Sequence, residues 1–437
     1  MAPLAPAGLL HAAPEEAGFD DEKLHRATSV LERHLISGGG PIAAASLCVV
    51  RRGRIALART WNEQKTRPFL VASLTKPVTA LAALLLVQEG LLRLDARICD
   101  YLPEFGVKGK DAIRLRHVLA HTSGLPDMLP QNLELRAAHA PLDEYYARLV
   151  ELEPLFPPGT QVCYQSMGFL ALGRLIESVT GKALPQFLAE RLFSPLGLEH
   201  TFLGAGNGPG PGRAVGREQG SEQGPPPAGR KEPQPERGAP GAEDAVDLGV
   251  PVQLPGDQEG KDWNWNSPYW RNLGAPWGGL LSTSLDLAAL IYAFGSPGGA
   301  GSEMLAPPLR AAMAASQTDG LPYFQGSPAY GATDSTTSDL SGRPSGAGQG
   351  EVQAWGLGWR LNANPGRAGA LFGDFASLRA FGHTGATGTA FWYDPAYDVA
   401  FCLLTTWPAA IRERVTARVA NAVLSAVAVA DGAAADG

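Results

Sequence analysis

Charge is scarce in this sequence. Only 18% of its 437 residues are Asp, Glu, Lys or Arg, and 36 basic side chains against 43 acidic ones leave a formal net charge of -7. No stretch gathers lysine and arginine into a stripe, so no surface is prepared for a phosphate backbone and nucleic acid is not an expected partner. Long apolar runs are missing as well. The longest nearly unbroken one, residues 78–87, falls well short of the roughly 20 residues a membrane-crossing helix needs, and no membrane span is expected. Residues 1–20 offer no basic start followed by an apolar core, so no signal peptide is read there and the cytoplasm is the default location. The four cysteines, Cys48, Cys99, Cys163 and Cys402, are far apart and form no Cys-x-x-Cys pair. They are read as small buried side chains, not as disulfides or metal ligands.

What is present is a large apolar fraction, 45%, enough to bury a substantial core. The period of apolar positions predicts a helix over 21–35, then a strand over 42–50 joined by an Arg51-Arg52-Gly53-Arg54 turn to a second strand over 55–58. Residues 78–88 read as a buried helix that Gly90 ends, with Pro77 confined to its first turn and its start therefore close to Ser73. Helical patterns recur over 115–119, 142–152, 168–178 and 184–192. Ser282-Thr283-Ser284 supplies cap candidates for a helix over 285–294. Strands over 388–393 and 399–406 form a hairpin across Asp394–Asp398, and a last helix covers 412–428. Residues 203–262 contain no aromatic side chain and are crowded with Gly and Pro, which predicts a surface insertion; a second polar stretch spans 325–350.

The expected fold is therefore α/β of the α+β kind: an antiparallel sheet flanked by terminal helices, plus a mainly helical subdomain. Residues 12–95 and 263–428 would build the sheet-containing part, 96–202 the helical part and 203–262 the insertion, with a cleft between the two subdomains.

Ser73 and Lys76, three apart at a helix start, fall on one face within hydrogen-bond reach. A serine hydroxyl is a weak nucleophile near neutral pH, and a lysine can accept its proton if burial lowers the lysine pKa. Tyr164-Gln165-Ser166 follows the Pro157-Pro158-Gly159 turn and brings a phenol and a hydroxyl to a loop tip. His383-Thr384-Gly385 precedes the C-terminal hairpin, where glycine lets a substrate lie against the strand. His121 invites a Ser-His-Asp reading, but no Gly-x-Ser-x-Gly elbow accompanies it, and it is read as a histidine that caps or orients a turn. His117 and His121 lack the His-Glu-x-x-His pattern and a third ligand, so no metal and no cofactor are expected. The cluster Trp265, Trp270 and Trp277 is read either as a pocket wall for an acyl group or as core packing.

In the order Ser-x-x-Lys, Tyr-x-Ser, His-Thr-Gly these segments resemble the three motifs of the serine β-lactamase and penicillin-binding superfamily, in particular the group of class C β-lactamases, D-alanyl-D-alanine carboxypeptidases and family VIII esterases. Residues 14–19, 86–95, 117–125 and 277–283 resemble the same group, so the likeness covers about 12–428 apart from the insertion. It implies a β-lactamase/transpeptidase-like fold and an acyl-enzyme on Ser73, with Lys76 and Tyr164 sharing proton transfer. It implies further that the backbone N–H groups of Ser73 and Ala386 form an oxyanion hole and that Ser166, His383, Thr384 and Gly385 line the substrate. Two positions depart from the family. Ser166 stands where asparagine is usual, and His383 replaces a lysine that would present a permanent charge to a substrate carboxylate. Arg379, four residues upstream, would compensate if the strand reached back that far. With a neutral residue at 383, small acyl esters are the expected substrates, of the family VIII carboxylesterase type. A β-lactamase, a D-amino-acid peptidase or amidase, and a non-catalytic ligand-binding protein are the alternatives. The partner is in each case a small molecule, an ester, lactam or amide; the oligomeric state is not read from the sequence.

Overall fold

A computed structural model describes residues 6–208, 248–324, 354–362 and 371–428. Eleven strands are present among them: β1 (Leu10–His11), β2 (Ala45–Arg51), β3 (Arg54–Trp61), β4 (Phe69–Leu70), β5 (Phe202–Leu203), β6 (Leu280–Ser282), β7 (Ala354–Trp355), β8 (Arg360–Leu361), β9 (Phe381–Gly385), β10 (Thr389–Asp394) and β11 (Val399–Thr405). The main sheet runs β1-β3-β2-β11-β10-β9-β8-β7, and a small second sheet runs β4-β6-β5. The expected all-antiparallel sheet is corrected at one edge: β1 pairs with β3 in parallel, making the sheet mixed. β1 and β3 run the same way because β2, which lies between them in sequence and pairs antiparallel with β3, runs the chain back across the sheet.

Local chemistry explains the hairpins. Arg52 and Gly53 both have positive φ, 50° and 71°, the backbone a two-residue turn needs to match strand twist, and the register closes with Arg51 opposite Arg54. The β10–β11 hairpin turns through Asp394–Asp398 as expected.

Side chains alternate across the strands, and each face finds a cover. On one face Leu47, Val49, Phe401 and Leu403 pack against Leu24, Ala27 and Leu31 of helix α1 (Asp21–Glu32) and Val415, Val419 and Val423 of the C-terminal helix Val415–Ser425. The two terminal helices thus share one face. Opposite them Cys48, Val50, Phe391 and Cys402 meet Leu287, Leu290, Ile291 and Phe294 of the helix Ser284–Gly295, whose cap is Thr283, accepting from the Asp286 N–H at 3.2 Å. Each fully buried Leu, Ile or Phe contributes roughly 1.5–3 kcal/mol. Helix α2 (Thr75–Gln88) extends this core into a helical subdomain of α3 (Leu115–Leu119), α4 (Asn132–Ala137), α5 (Leu142–Val150) and α6 (Met167–Thr180). No helix among the described residues is long and apolar enough to cross a membrane.

All four cysteines are free. Cys48 and Cys402 are buried in directly paired strand positions, whereas Cys99 and Cys163 are only half-buried, a correction to the expectation of four buried side chains. The stretch 325–350 and most of the insertion, 209–247, lie outside the described residues. The returning end of the insertion is tied down. Fully buried Arg271 donates to Trp265 O at 2.6 Å, Leu248 O at 2.9 Å, Val250 O at 2.9 Å and Asn266 Oδ1 at 3.0 Å, and Val250 bridges to Phe69 of β4. Arg271→Met would leave these acceptors without their charged donor. A loss of about 3 kcal/mol or more in unfolding free energy is expected, measured by urea denaturation.

Candidate active site

Three segments distant in sequence meet here. The strand β4 leads in, and the Val71 N–H donates to Leu280 O at 3.0 Å. Ala72 then adopts a left-handed backbone with φ 48°, which a residue bearing a Cβ takes only against strain. The surroundings hold it there: Thr75 Oγ1 donates to Ala72 O at 2.6 Å, Thr387 Oγ1 to Leu70 O at 2.7 Å and Thr389 Oγ1 to Val71 O at 2.9 Å. Ser73, half-buried, sits in the short 3-10 turn Ala72–Leu74 that opens into α2, close to where Pro77 required the helix to begin.

Lys76, one turn further on, is fully buried. Its Nζ donates to Ser73 Oγ at 3.1 Å and to Trp277 O at 3.2 Å, and lies 4.6 Å from the centre of the Tyr164 ring. Removal from water pushes its pKa down to about 7, against a smaller opposing pull from the Asp127 carboxylate. Tyr164 is half-buried, with its phenol group desolvated. That desolvation, with Asp127 second, raises its pKa well above the ordinary value, while a hydrogen-bonding interaction with Ser73 and the charge of Arg360 oppose the rise. The two groups are therefore unequal. The amine loses its proton near neutrality; the phenol keeps its own.

His383 is buried on β9 with Nδ1 2.7 Å from Thr384 O, and burial, the Lys76 charge and the Arg360 charge together hold its pKa down at about 3. It is neutral at any ordinary pH. Its Nε2 and the Thr384 hydroxyl have no partner among the described residues. Gly385 lies against the lead-in strand so closely that a Cβ would collide with Thr389 Oγ1 and Val71 O. No acceptor among the described residues takes the backbone N–H of Ser73 or of Ala386, which leaves both available to an oxyanion. Ser166 is buried and donates to Asp127 Oδ1 at 2.5 Å.

The remaining candidates separate. Trp277 reaches the site through its carbonyl on Lys76, and its ring packs 6.1 Å from Tyr145. Trp265 and Trp270 are buried around two arginines, Trp265 accepting from Arg271 and Trp270 lying 4.3 Å from the Arg136 guanidinium. Arg379 corrects a sequence expectation: β9 starts only at Phe381, so Arg379 sits exposed in the preceding turn. The arginine whose charge reaches His383 and Tyr164 is Arg360, on β8 opposite Gly382. Sequence reasoning missed it, together with Asp127 and Trp355, whose ring lies 5.6 Å from both Tyr164 and His383. Asp127 directly follows the Gly124-Leu125-Pro126 turn and was findable as the next polar group; Arg360 and Trp355 carry no local signal.

The Beta-lactamase family matches residues 32–425. A curated putative D-alanyl-D-alanine carboxypeptidase of Salmonella agona (strain SL483) is 26% identical over 431 residues, covering 92% of this chain and 86% of that protein. Among solved structures, EstCE1, a hydrolase with promiscuous acyltransferase activity, superposes with a TM-score of 0.63 at 20% identity over 92% of this chain and 99% of its own. A β-lactamase of Mycobacterium bovis does so with a TM-score of 0.54 at 23% identity over 92% and 100%. At these identities the two structures establish likeness of fold.

Gly385→Ala tests the close approach of β9 to the turn before Ser73. Overpacking is expected to cost about 1–3 kcal/mol, read as a fall in Tm, and to slow labelling of Ser73 by a fluorophosphonate as the turn is displaced.

Proposed function

The chain belongs to the Beta-lactamase family, and from that premise we propose that it is a serine hydrolase forming an acyl-enzyme on Ser73. The observation that carries the reading is the buried Lys76 amine on the Ser73 hydroxyl, with a pKa near neutrality and the Tyr164 ring beside it. Neutral Lys76 takes the Ser73 proton as Oγ attacks the substrate carbonyl. The oxyanion is received by the N–H groups of Ser73 and Ala386. The proton held by Lys76 then passes through the Tyr164 hydroxyl to the leaving group as its bond to carbon breaks. Water, giving its proton to the same amine, attacks the acyl ester and releases the acid, and Ser73 recovers its hydrogen. In this reading the parts 12–95 with 263–428 and 96–202 face each other across the cleft, the helical part supplying Tyr164.

Neutral His383 favours small uncharged esters, the substrate class expected from the sequence. Two observations favour the alternative, an amide or lactam bearing a carboxylate. Arg360 adds a minor positive influence on His383 and Tyr164, and in this reading it is the cation that meets a substrate carboxylate in place of the lysine absent at 383. The family match and the curated relatives, named as putative D-alanyl-D-alanine carboxypeptidases, point the same way. A D-amino-acid peptidase or amidase, with β-lactam recognition, is therefore the primary reading and the small-ester hydrolase the second.

Ser73→Ala is expected to abolish the mass shift produced by a fluorophosphonate; an unchanged shift would remove Ser73 from the mechanism and leave the non-catalytic ligand-binding alternative open. Against a panel of a D-alanyl-D-alanine peptide, a chromogenic cephalosporin and a nitrophenyl butyrate, Arg360→Ala is expected to raise KM for the first two and leave the ester unchanged. Turnover of the ester alone, indifferent to Arg360, would return the assignment to an esterase. Because rising pH strips the proton from Lys76, kcat/KM should climb through a midpoint near pH 7 to a plateau. A flat profile from pH 5 to 9 would take Lys76 out of the role of base.

A further inference from the structure

His121 lies outside the three motifs, yet it contacts the Tyr164 segment in three ways. Its backbone carbonyl accepts the Cys163 N–H at 2.9 Å, and its ring Nδ1 accepts the Gln165 N–H at 3.1 Å. The residues before and after Tyr164 are thus both hydrogen-bonded to one side chain and its own backbone. The imidazole also packs on the phenol, ring centres 4.8 Å apart, with Trp355 4.2 Å away on an edge and Phe169 at 5.6 Å.

Holding this position is costly for the backbone. His121 directly follows Ala120, the residue that caps α3, and has φ 59°, the left-handed site where glycine or asparagine usually stops a helix. A histidine kept there is fully buried, and its Nε2 has no partner among the described residues. Ending the helix does not require an imidazole; the acceptor and the ring face do something else. The neighbouring contacts extend the same joint, Thr122 O taking the Gly159 N–H at 2.8 Å and Gly124 O the Leu155 N–H at 2.7 Å, while the Ser123 hydroxyl donates to the Gln165 side-chain oxygen. Gln165 in turn donates to Val118 O at 3.0 Å.

We infer that His121 is a positioning residue for Tyr164: the neutral imidazole, with Nδ1 as acceptor and the proton on Nε2, fixes the phenol over Lys76 so that it can hand a proton to the leaving group. This rests on the acyl-serine reading above. It assigns His121 no proton transfer of its own, which sets it apart from the base of a Ser-His-Asp triad.

The role predicts a dependence on leaving group that a general folding defect does not produce. A nitrophenolate departs without a proton, whereas an alkoxide must receive one. For ethyl butyrate against nitrophenyl butyrate, which share an acyl group, His121→Gly keeps the left-handed backbone and deletes the acceptor. It is expected to lower kcat/KM for the ethyl ester about 100-fold and for the nitrophenyl ester less than about tenfold. His121→Asn puts an amide oxygen where Nδ1 stands and tolerates the same φ, so it should recover most of the ethyl-ester rate. His121→Gln, with its acceptor displaced toward the Nε2 position, should behave like the glycine variant and serves if that variant does not fold. Equal losses on both esters, or an asparagine variant no better than glycine or glutamine, would overturn the inference. Failure of the unmutated protein to be labelled at Ser73 by a fluorophosphonate would instead overturn the reading on which it rests.

Discussion

An amine taken out of water and left beside a hydroxyl governs this molecule. Among the described residues Lys76 has no carboxylate in hydrogen-bond contact to offset its lost hydration; its Nζ meets a serine oxygen, a backbone carbonyl and the face of an aromatic ring. The charged form is consequently disfavoured, and the pKa falls to about 7 from the value near 10.4 of a free lysine. The same shift is a stability statement. Between about pH 7 and roughly 10.4 the unfolded chain binds a proton that the folded one does not, so stability rises with pH across that window and the protonated amine costs the fold on the order of 5 kcal/mol below it. The role of base proposed for the amine and this cost have one cause.

The rest of the architecture keeps that amine dry and the hydroxyl near it. The carbonyl of Trp277 comes from the far side of the insertion, the threonines of the β9–β10 turn lock the residues before Ser73, and α6 begins just after Tyr164. Asp127 is the counterweight. Its charge raises the pKa of both Lys76 and Tyr164, keeping the amine from falling further and the phenol protonated, and its hydrogen bond from Ser166 holds it in place. The serine that replaces the family's asparagine has become the holder of a carboxylate.

How much of this was legible depended on sequence distance. The Ser73–Lys76 pair could be read because one helical turn brings it together, and the hairpins because turn and strand are contiguous. Tyr164 and His383 were recognisable only through resemblance, since no local rule brings a loop tip of the helical part and a strand of the sheet to the same amine. Arg360 was out of reach: it acts through strand pairing with Gly382, which periodicity does not reveal. Arg379 went wrong by two residues of strand length, since β9 starts at Phe381 and leaves it in the turn. His121 was seen as a turn residue, which its backbone is; its ring contacts required knowing what lay across the turn.

The small sheet β4-β6-β5 has a consequence of a different kind. The chain enters its insertion just after β5 at one edge and comes back at Val250, bridged to β4 at the other. The two anchor points are thus separated by about three strand spacings, roughly 14 Å, on a platform that Arg271 clamps. Doubling the length of chain between them adds only about 0.6 kcal/mol of closure entropy. Added length between these two anchors therefore costs the fold little, so an epitope or a second folded module grafted between them is expected to leave the core around β4 standing.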